Sequence, residues 1–156
     1  MEVFRKRQVI SLNAYREQQE ARKRAEIAAV QQEARGLVEI AQKRMEGLGD
    51  DAFASRTEAR EDIQFLTWFA GKIARARPQA RVDFRRTVTD YGYDPEDEAS
   101  QRSSGLPYTP EADQEEADYH RRIGALSPLL RRLEGAGVRV KTGIKRVFPK
   151  DEFEEE

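Results

Sequence analysis

Cysteine is absent from this chain of 156 residues, and histidine occurs once, at position 120. The first absence excludes disulfide bonds, thiolate metal sites and cysteine nucleophiles. No apolar run approaches the ~20 residues that a membrane-spanning helix requires, and no apolar signal-peptide segment follows the first residues. The sequence therefore predicts a cytoplasmic protein without a membrane partner.

Apolar residues are also in short supply. Hydrophobic residues make up 38% of the chain and charged residues 37%, against roughly 45–50% and 25% in typical globular domains. This composition favours elongated helices, whose exposed faces need many charges, over a thick globular core.

The charges that are present lie in blocks. Residues 90–118 contain ten acids and one base, residues 119–150 contain nine bases and one acid, and residues 151–156 add five acids. Adjacent blocks of opposite sign either pair with each other or bind charged partners, since charge sign governs association more than fold.

The first half of the chain predicts two helices. Residues 12–45 contain no proline and a single glycine, with Ser11 or Asn13 as the expected cap, and a second helix ends before Pro78. The short turn at 47–51, with its glycines and capping aspartates, predicts that the two helices form an antiparallel hairpin. Apolar residues recur at helical spacing, and the predicted packing or oligomer contacts are Leu37, Met45, Ile63, Phe65, Leu66, Trp68 and Phe69.

Smaller elements are predicted in the second half. Residues 80–88 fit either a helix or a strand, whereas helices are expected from Pro110 to Ala125 and from Ser127 to Gly135. Alternation on both sides of residues 141–143 predicts a β-hairpin. The predicted fold is mainly α: a long helical hairpin (1–88), an acidic linker (89–109), a basic α+β element with a β-hairpin (110–149) and an acidic tail (150–156).

Motifs for catalysis and for metal or cofactor binding are lacking. Glu116 and His120 share a helix face, but a carboxylate-bridged di-metal bundle needs several such ligands. No phosphate-binding glycine loop and no nucleophile elbow occurs. We therefore expect a protein that is not an enzyme and that uses no metal and no cofactor.

The basic block is the strongest candidate for an interaction surface. Its predicted face comprises Arg121, Arg122, Arg131, Arg132, Arg139, Lys141, Lys145 and Arg146. Residues 126–138 resemble the recognition helix and wing entry of winged-helix regulators. That resemblance implies DNA binding, as an alternative to pairing of the basic face with the protein's own acids or with an acidic protein.

The acidic linker carries three tyrosines, Tyr91, Tyr93 and Tyr108, which are candidates for a partner-binding motif. Taken together, these patterns predict a structural or assembly protein that binds other protein subunits, as a homo-oligomer or within a larger particle such as a phage virion. The alternative is a regulator with a winged-helix-like element. Nucleic acid is the less favoured partner because acids flank the basic block on both sides.

Overall fold

The computed structural model describes residues 2–90 and 110–147, with side chains from residue 11 onward. Four helices and four short strands follow each other along these residues. In chain order they are α1 (Glu2–Glu46), α2 (Phe53–Ile73), β1 (Arg81–Asp83), β2 (Arg86–Thr89), α3 (Pro110–Ala125), α4 (Ser127–Gly135), β3 (Arg139–Lys141) and β4 (Ile144–Val147). The mainly α class, with a small C-terminal part that contains strands, is confirmed.

The described residues group into two compact units. The first unit comprises residues 2–82 and 128–140, and the second comprises residues 83–90, 110–127 and 141–147. The units thus interleave along the chain.

Helices α1 and α2 form the predicted hairpin of the first unit. The Gln31 side-chain amide of α1 donates a hydrogen bond of 3.0 Å to the carbonyl oxygen of Ile73, at the far end of α2. Because residues 47–52 join the other ends, the two helices run antiparallel. At 1.5 Å per residue, α1 is about 67 Å long and α2 about 31 Å, so α2 accompanies only part of α1.

The core of the first unit follows the predicted apolar spacing. Phe69 and Ile73 of α2 are fully buried, and so is Val30 of α1. Ile27, Ala34 and Phe65 are also buried. Side chains at i, i+3 and i+4 lie on one helix face, which is why this spacing identified the buried stripe.

Two local details of the hairpin were predicted wrongly. The first helix begins at Glu2, so neither Ser11 nor Asn13 caps it. The N-cap of α2 is Ala52, which makes no side-chain cap hydrogen bond, instead of Asp50 or Asp51. Asp50 is instead paired with Arg56 at 2.8 Å.

The predicted β-hairpin between residues 138 and 147 is wrong. Strands β3 and β4 do form, but β3 pairs with β1 and β4 pairs with β2, both in parallel. The stretch 80–88, which fitted a helix or a strand, supplies these partners as β1 and β2. In the β2–β4 ladder, Arg86 lies opposite Ile144 and Thr87 opposite Lys145.

An interruption of two residues separates each strand from the next one along the chain, both between β1 and β2 and between β3 and β4. Phe84 and Arg85 separate β1 from β2, while Thr142 and Gly143 separate β3 from β4. The amide of Arg86 donates to the carbonyl oxygen of Gly143 at 3.0 Å, at the start of the β2–β4 pairing. Parallel strands need a long crossover connection, and helices α3 and α4 provide it.

Within the part of the chain that the structure describes, none of the helices combines the length and the apolar character needed to cross a lipid bilayer.

Candidate functional site

The eight residues predicted to form one basic face are distributed over both units. Arg131, Arg132 and Arg139 belong to the first unit, and the other five belong to the second. Their environments differ strongly, because some side chains are held by acids of the same chain and others are exposed. Those that are exposed are Arg121, Arg131, Arg139, Lys141 and Lys145.

Arg132 is held by two acids of the long helix. Its guanidinium contacts Glu26 and, at 2.5 Å, Glu33. These acids are about two helical turns apart on α1, so they lie on the same face and can hold one guanidinium between them. The hydrogen bond to Glu26, with a further contribution from Glu33, raises the pKa of Arg132. Arg132 therefore joins α4 to α1 within the first unit.

Arg146 is held in the same way inside the second unit. Its Nε donates to Glu116 Oε2 at 2.8 Å, and its terminal nitrogen contacts Asp113. Hydrogen bonds to Asp113 and then Glu116 raise the pKa of Arg146 against the opposing effect of burial. Here a residue of the basic block is paired directly with residues of the acidic block.

Weaker ion pairs occur along α3. His120 Nε2 lies 3.7 Å from Glu116 Oε1, and Arg121 lies 3.5 Å from Asp118. In each pair the two residues lie about one helix turn apart, and the acid is only partly exposed. Among the described residues, no group of three His, Asp or Glu side chains is arranged to hold a metal ion.

Tyr119 joins α3 to both interrupted strands. Its hydroxyl donates a hydrogen bond of 2.7 Å to the carbonyl oxygen of Phe84 and accepts one of 3.1 Å from the amide of Gly143. The side chain is buried. Burial raises the pKa of Tyr119, while the Gly143 amide and the positive charge of Arg86 partly offset this shift.

A polar cleft of about 520 Å³ opens beside this tyrosine-bridged interruption. Arg85 and Asp83 form a bidentate pair on its wall, with Nε–Oδ1 2.9 Å and a terminal nitrogen to Oδ2 2.6 Å. The residues that line the cleft are Asp83, Arg85, Arg86, Thr87, Thr142, Gly143, Ile144 and Lys145. The lining therefore carries three cations and one carboxylate, and that carboxylate is already engaged by Arg85.

The predicted packing residues all lie in the hairpin, though not equally deep. Phe65 and Phe69 are buried, and the Phe65 and Trp68 rings are tilted by 55° with centroids 5.4 Å apart. Met45 and Ile63 line one cavity of about 640 Å³ near the turn, as expected from the antiparallel register. The half-buried members are Leu37, Met45, Ile63, Leu66 and Trp68.

Part of the long helix remains uncovered. Leu12, Tyr15 and Ile40 of α1 are each 57% exposed, and Phe53 at the start of α2 is 80% exposed. Leu12 precedes Val30 by about five helical turns, so both occupy the same face of α1. The face of α1 that is buried at Val30 thus extends to the exposed Leu12, with the polar side chains of Gln19 and Lys23 on that face between them.

Comparison with protein-family models, curated proteins and solved structures finds no match to this chain.

The candidate residues Tyr91, Tyr93 and Tyr108 lie outside the described residues, as does the acidic tail. The sequence reasoning missed three contributors to the charge pairs and the strand interruption, namely Glu26, Glu33 and Tyr119. The spacing of Glu26 and Glu33 on one helix face was a usable signal. For Tyr119 the signal was weaker, a single aromatic residue in an otherwise polar helix.

Proposed function

We propose that this chain is a non-enzymatic assembly protein that binds a second copy of itself through the N-terminal half of α1. In this role α2 and α4 stabilise the other half of the helix. The self-associating segment, residues 11–25, would connect copies into a dimer or a larger particle, of which a phage virion is one example.

One observation carries this proposal. Leu12 and Tyr15, one helix turn apart near the start of the segment, are both 57% exposed, and residues 16–26 separate them from the buried stripe that begins at Ile27. A helix of this length gains most of its stability from packing an apolar face, and an isolated stretch without a partner is marginal in water. A second copy of α1 would cover Leu12 and Tyr15 and remove their apolar surface from water.

The charges of the segment favour a partner of the same kind. Within residues 11–25, basic and acidic residues are interspersed, with Arg16, Arg22, Lys23 and Arg24 beside Glu17 and Glu20. Mixed charge along a helix is typical of coiled-coil flanks, in which two copies can pair acids with bases. A partner with charges of one sign would meet both favourable and unfavourable charges on this segment and would gain little binding free energy.

The experiment compares two variants by light scattering coupled to size exclusion. Leu12→Glu places a charge on the proposed interface. Ile40→Glu places the same charge on an equally exposed apolar residue of α1, about 80° around the helix from the face that contains Leu12 and Val30. We expect wild type and Ile40→Glu to associate at ~100 µM and Leu12→Glu to be monomeric, because a buried unpaired charge is strongly unfavourable. A monomeric wild type, or equal loss in both variants, would contradict the proposal.

The alternative function, a DNA-binding regulator, depended on a β-hairpin wing formed by β3 and β4. A winged helix needs a hairpin wing after the recognition helix, and β3 and β4 each pair with a strand from residues 81–89 instead. Helix α4 also buries Leu129, Leu130 and Leu133, while Arg132 is held by Glu26 and Glu33.

A further inference from the structure

We propose that the cleft at the strand interruption binds a small ligand that carries a diphosphate group, with Lys145, Thr87 and Thr142 as the contacting side chains. This site is independent of the proposed self-association, because it lies in the second unit and involves no residue of α1.

The parallel register brings the first two side chains together. Thr87 of β2 lies directly opposite Lys145 of β4, and side chains at paired positions point to the same side of a sheet. An ammonium therefore lies beside a hydroxyl, and both can donate to the same phosphate group. Lys145 makes no ion pair with any residue that the structure describes.

The third side chain comes from the interruption itself. Thr142 follows β3 and lines the same cleft, so its hydroxyl lies on the wall of that cleft without belonging to the ladder. The Tyr119 bridge fixes the backbone at Phe84 and Gly143, on both sides of the opening. The side-chain donors are therefore attached to a backbone that hydrogen bonds hold in place, which reduces the conformational entropy lost when a ligand binds.

Charge and size indicate the ligand class. The lining contains the cations Arg85, Arg86 and Lys145 and one carboxylate, Asp83, which Arg85 neutralises through two hydrogen bonds, while Glu115 acts on the charge of Arg86 from outside the lining. An anion is therefore favoured over a cation or a neutral molecule. A volume of about 520 Å³ lies within the usual range for small-ligand sites and exceeds what one phosphate fills. Burial lowers the pKa of Arg86, and the negative charge of Glu115 partly offsets this shift.

The test is a titration of the full chain with pyrophosphate at constant ionic strength, followed by amide chemical shifts. We expect saturable shifts at Thr87, Thr142 and Lys145, and none under sulfate at the same ionic strength. Lys145→Gln should weaken binding about tenfold, as expected for loss of one charge-assisted hydrogen bond. Lys141→Gln removes the same charge from an exposed residue of β3 that does not line the cleft, and binding should change less than twofold.

Several results would overturn the proposal. Shifts that do not saturate, or equal weakening by Lys141→Gln and Lys145→Gln, would indicate general screening of the basic block. Binding of a single-stranded oligonucleotide without any binding of pyrophosphate would show that a longer polyanion is recognised instead. Because both substitutions are on exposed side chains, unchanged circular dichroism is expected for each variant.

Discussion

The Tyr119 hydroxyl makes two hydrogen bonds to the backbone of the second unit. It satisfies the Phe84 carbonyl and the Gly143 amide, which belong to the two interruptions of the parallel ladders. Backbone groups at an interruption lose their ladder partners, and a buried group without a partner costs free energy. Tyr119 therefore compensates for the break in both strands at once.

Replacing Tyr119 with Phe should reduce the free energy of unfolding by about 1–3 kcal/mol at pH 8, because both backbone groups lose their hydrogen-bond partner. Urea unfolding measures this change. Tyr15→Phe is the matched control: it removes the same hydroxyl from a side chain that is 57% exposed, and stability should be unchanged within about 0.5 kcal/mol.

The same variants should differ in their pH dependence. Burial raises the pKa of Tyr119 in the folded protein above its ordinary value near 10. The unfolded chain therefore loses this proton first, and the contribution of Tyr119 is complete below about pH 10 and declines as the pH rises above it. The stability difference between wild type and Tyr119→Phe should narrow between pH 8 and pH 10.5. A constant difference would show that Tyr119 titrates normally.

At the scale of elements, the end of α4 determines how the chain enters β3. The amide of Val138 donates to the carbonyl oxygen of Leu133, and that of Gly137 to Glu134, both at 3.0 Å. With Gly137 at φ +87°, this is the Schellman arrangement that ends helices. Leu133 and Val138 are both buried, which adds the apolar contact usual for this motif.

Replacing Gly137 with Ala should cost about 1–2 kcal/mol, since an L side chain at positive φ brings Cβ too close to the backbone. Gly135→Ala, two residues earlier, is the control, because Gly135 is helical and an added Cβ meets nothing within 4 Å. That variant should be neutral or slightly stabilising. Thermal or urea unfolding distinguishes the two, and equal effects would contradict the assigned cap.

The elements also show which features a sequence can predict. Helices α3 and α4 begin and end at the residues that proline, capping residues and glycine predicted, because these sequence signals act locally. The buried line from Ile27 to Ala34 was likewise readable from its spacing. Strand pairing could not be predicted in this way. Residues 141–143 resemble a hairpin turn locally, but the strands that pair with β3 and β4 lie more than fifty residues earlier in the chain. The cleft depends on that pairing and was therefore missed.

At the scale of the whole molecule, the segregated charges are partly paired within each unit. Arg132 is held by Glu26 and Glu33 in the first unit, and Arg146 by Asp113 and Glu116 in the second. Acids of α1, which lie far from both charged blocks in the sequence, therefore pair with one arginine of the basic block, and acids of the acidic block pair with another.

These pairs predict a salt-dependent stability. Arg132→Gln should lower the melting temperature at 0.1 M NaCl, because it removes a cation that two acids hold, and the effect should diminish at 1 M, where screening acts within about 3 Å. Arg131→Gln is the matched control: Arg131 is the preceding residue of α4, is exposed, and makes no ion pair with a described residue. Its substitution should leave the melting temperature unchanged at both salt concentrations. An Arg132→Gln effect that is equal at 0.1 M and 1 M would mean that the aliphatic part of Arg132, packed between α4 and α1, stabilises the first unit and that its charge does not.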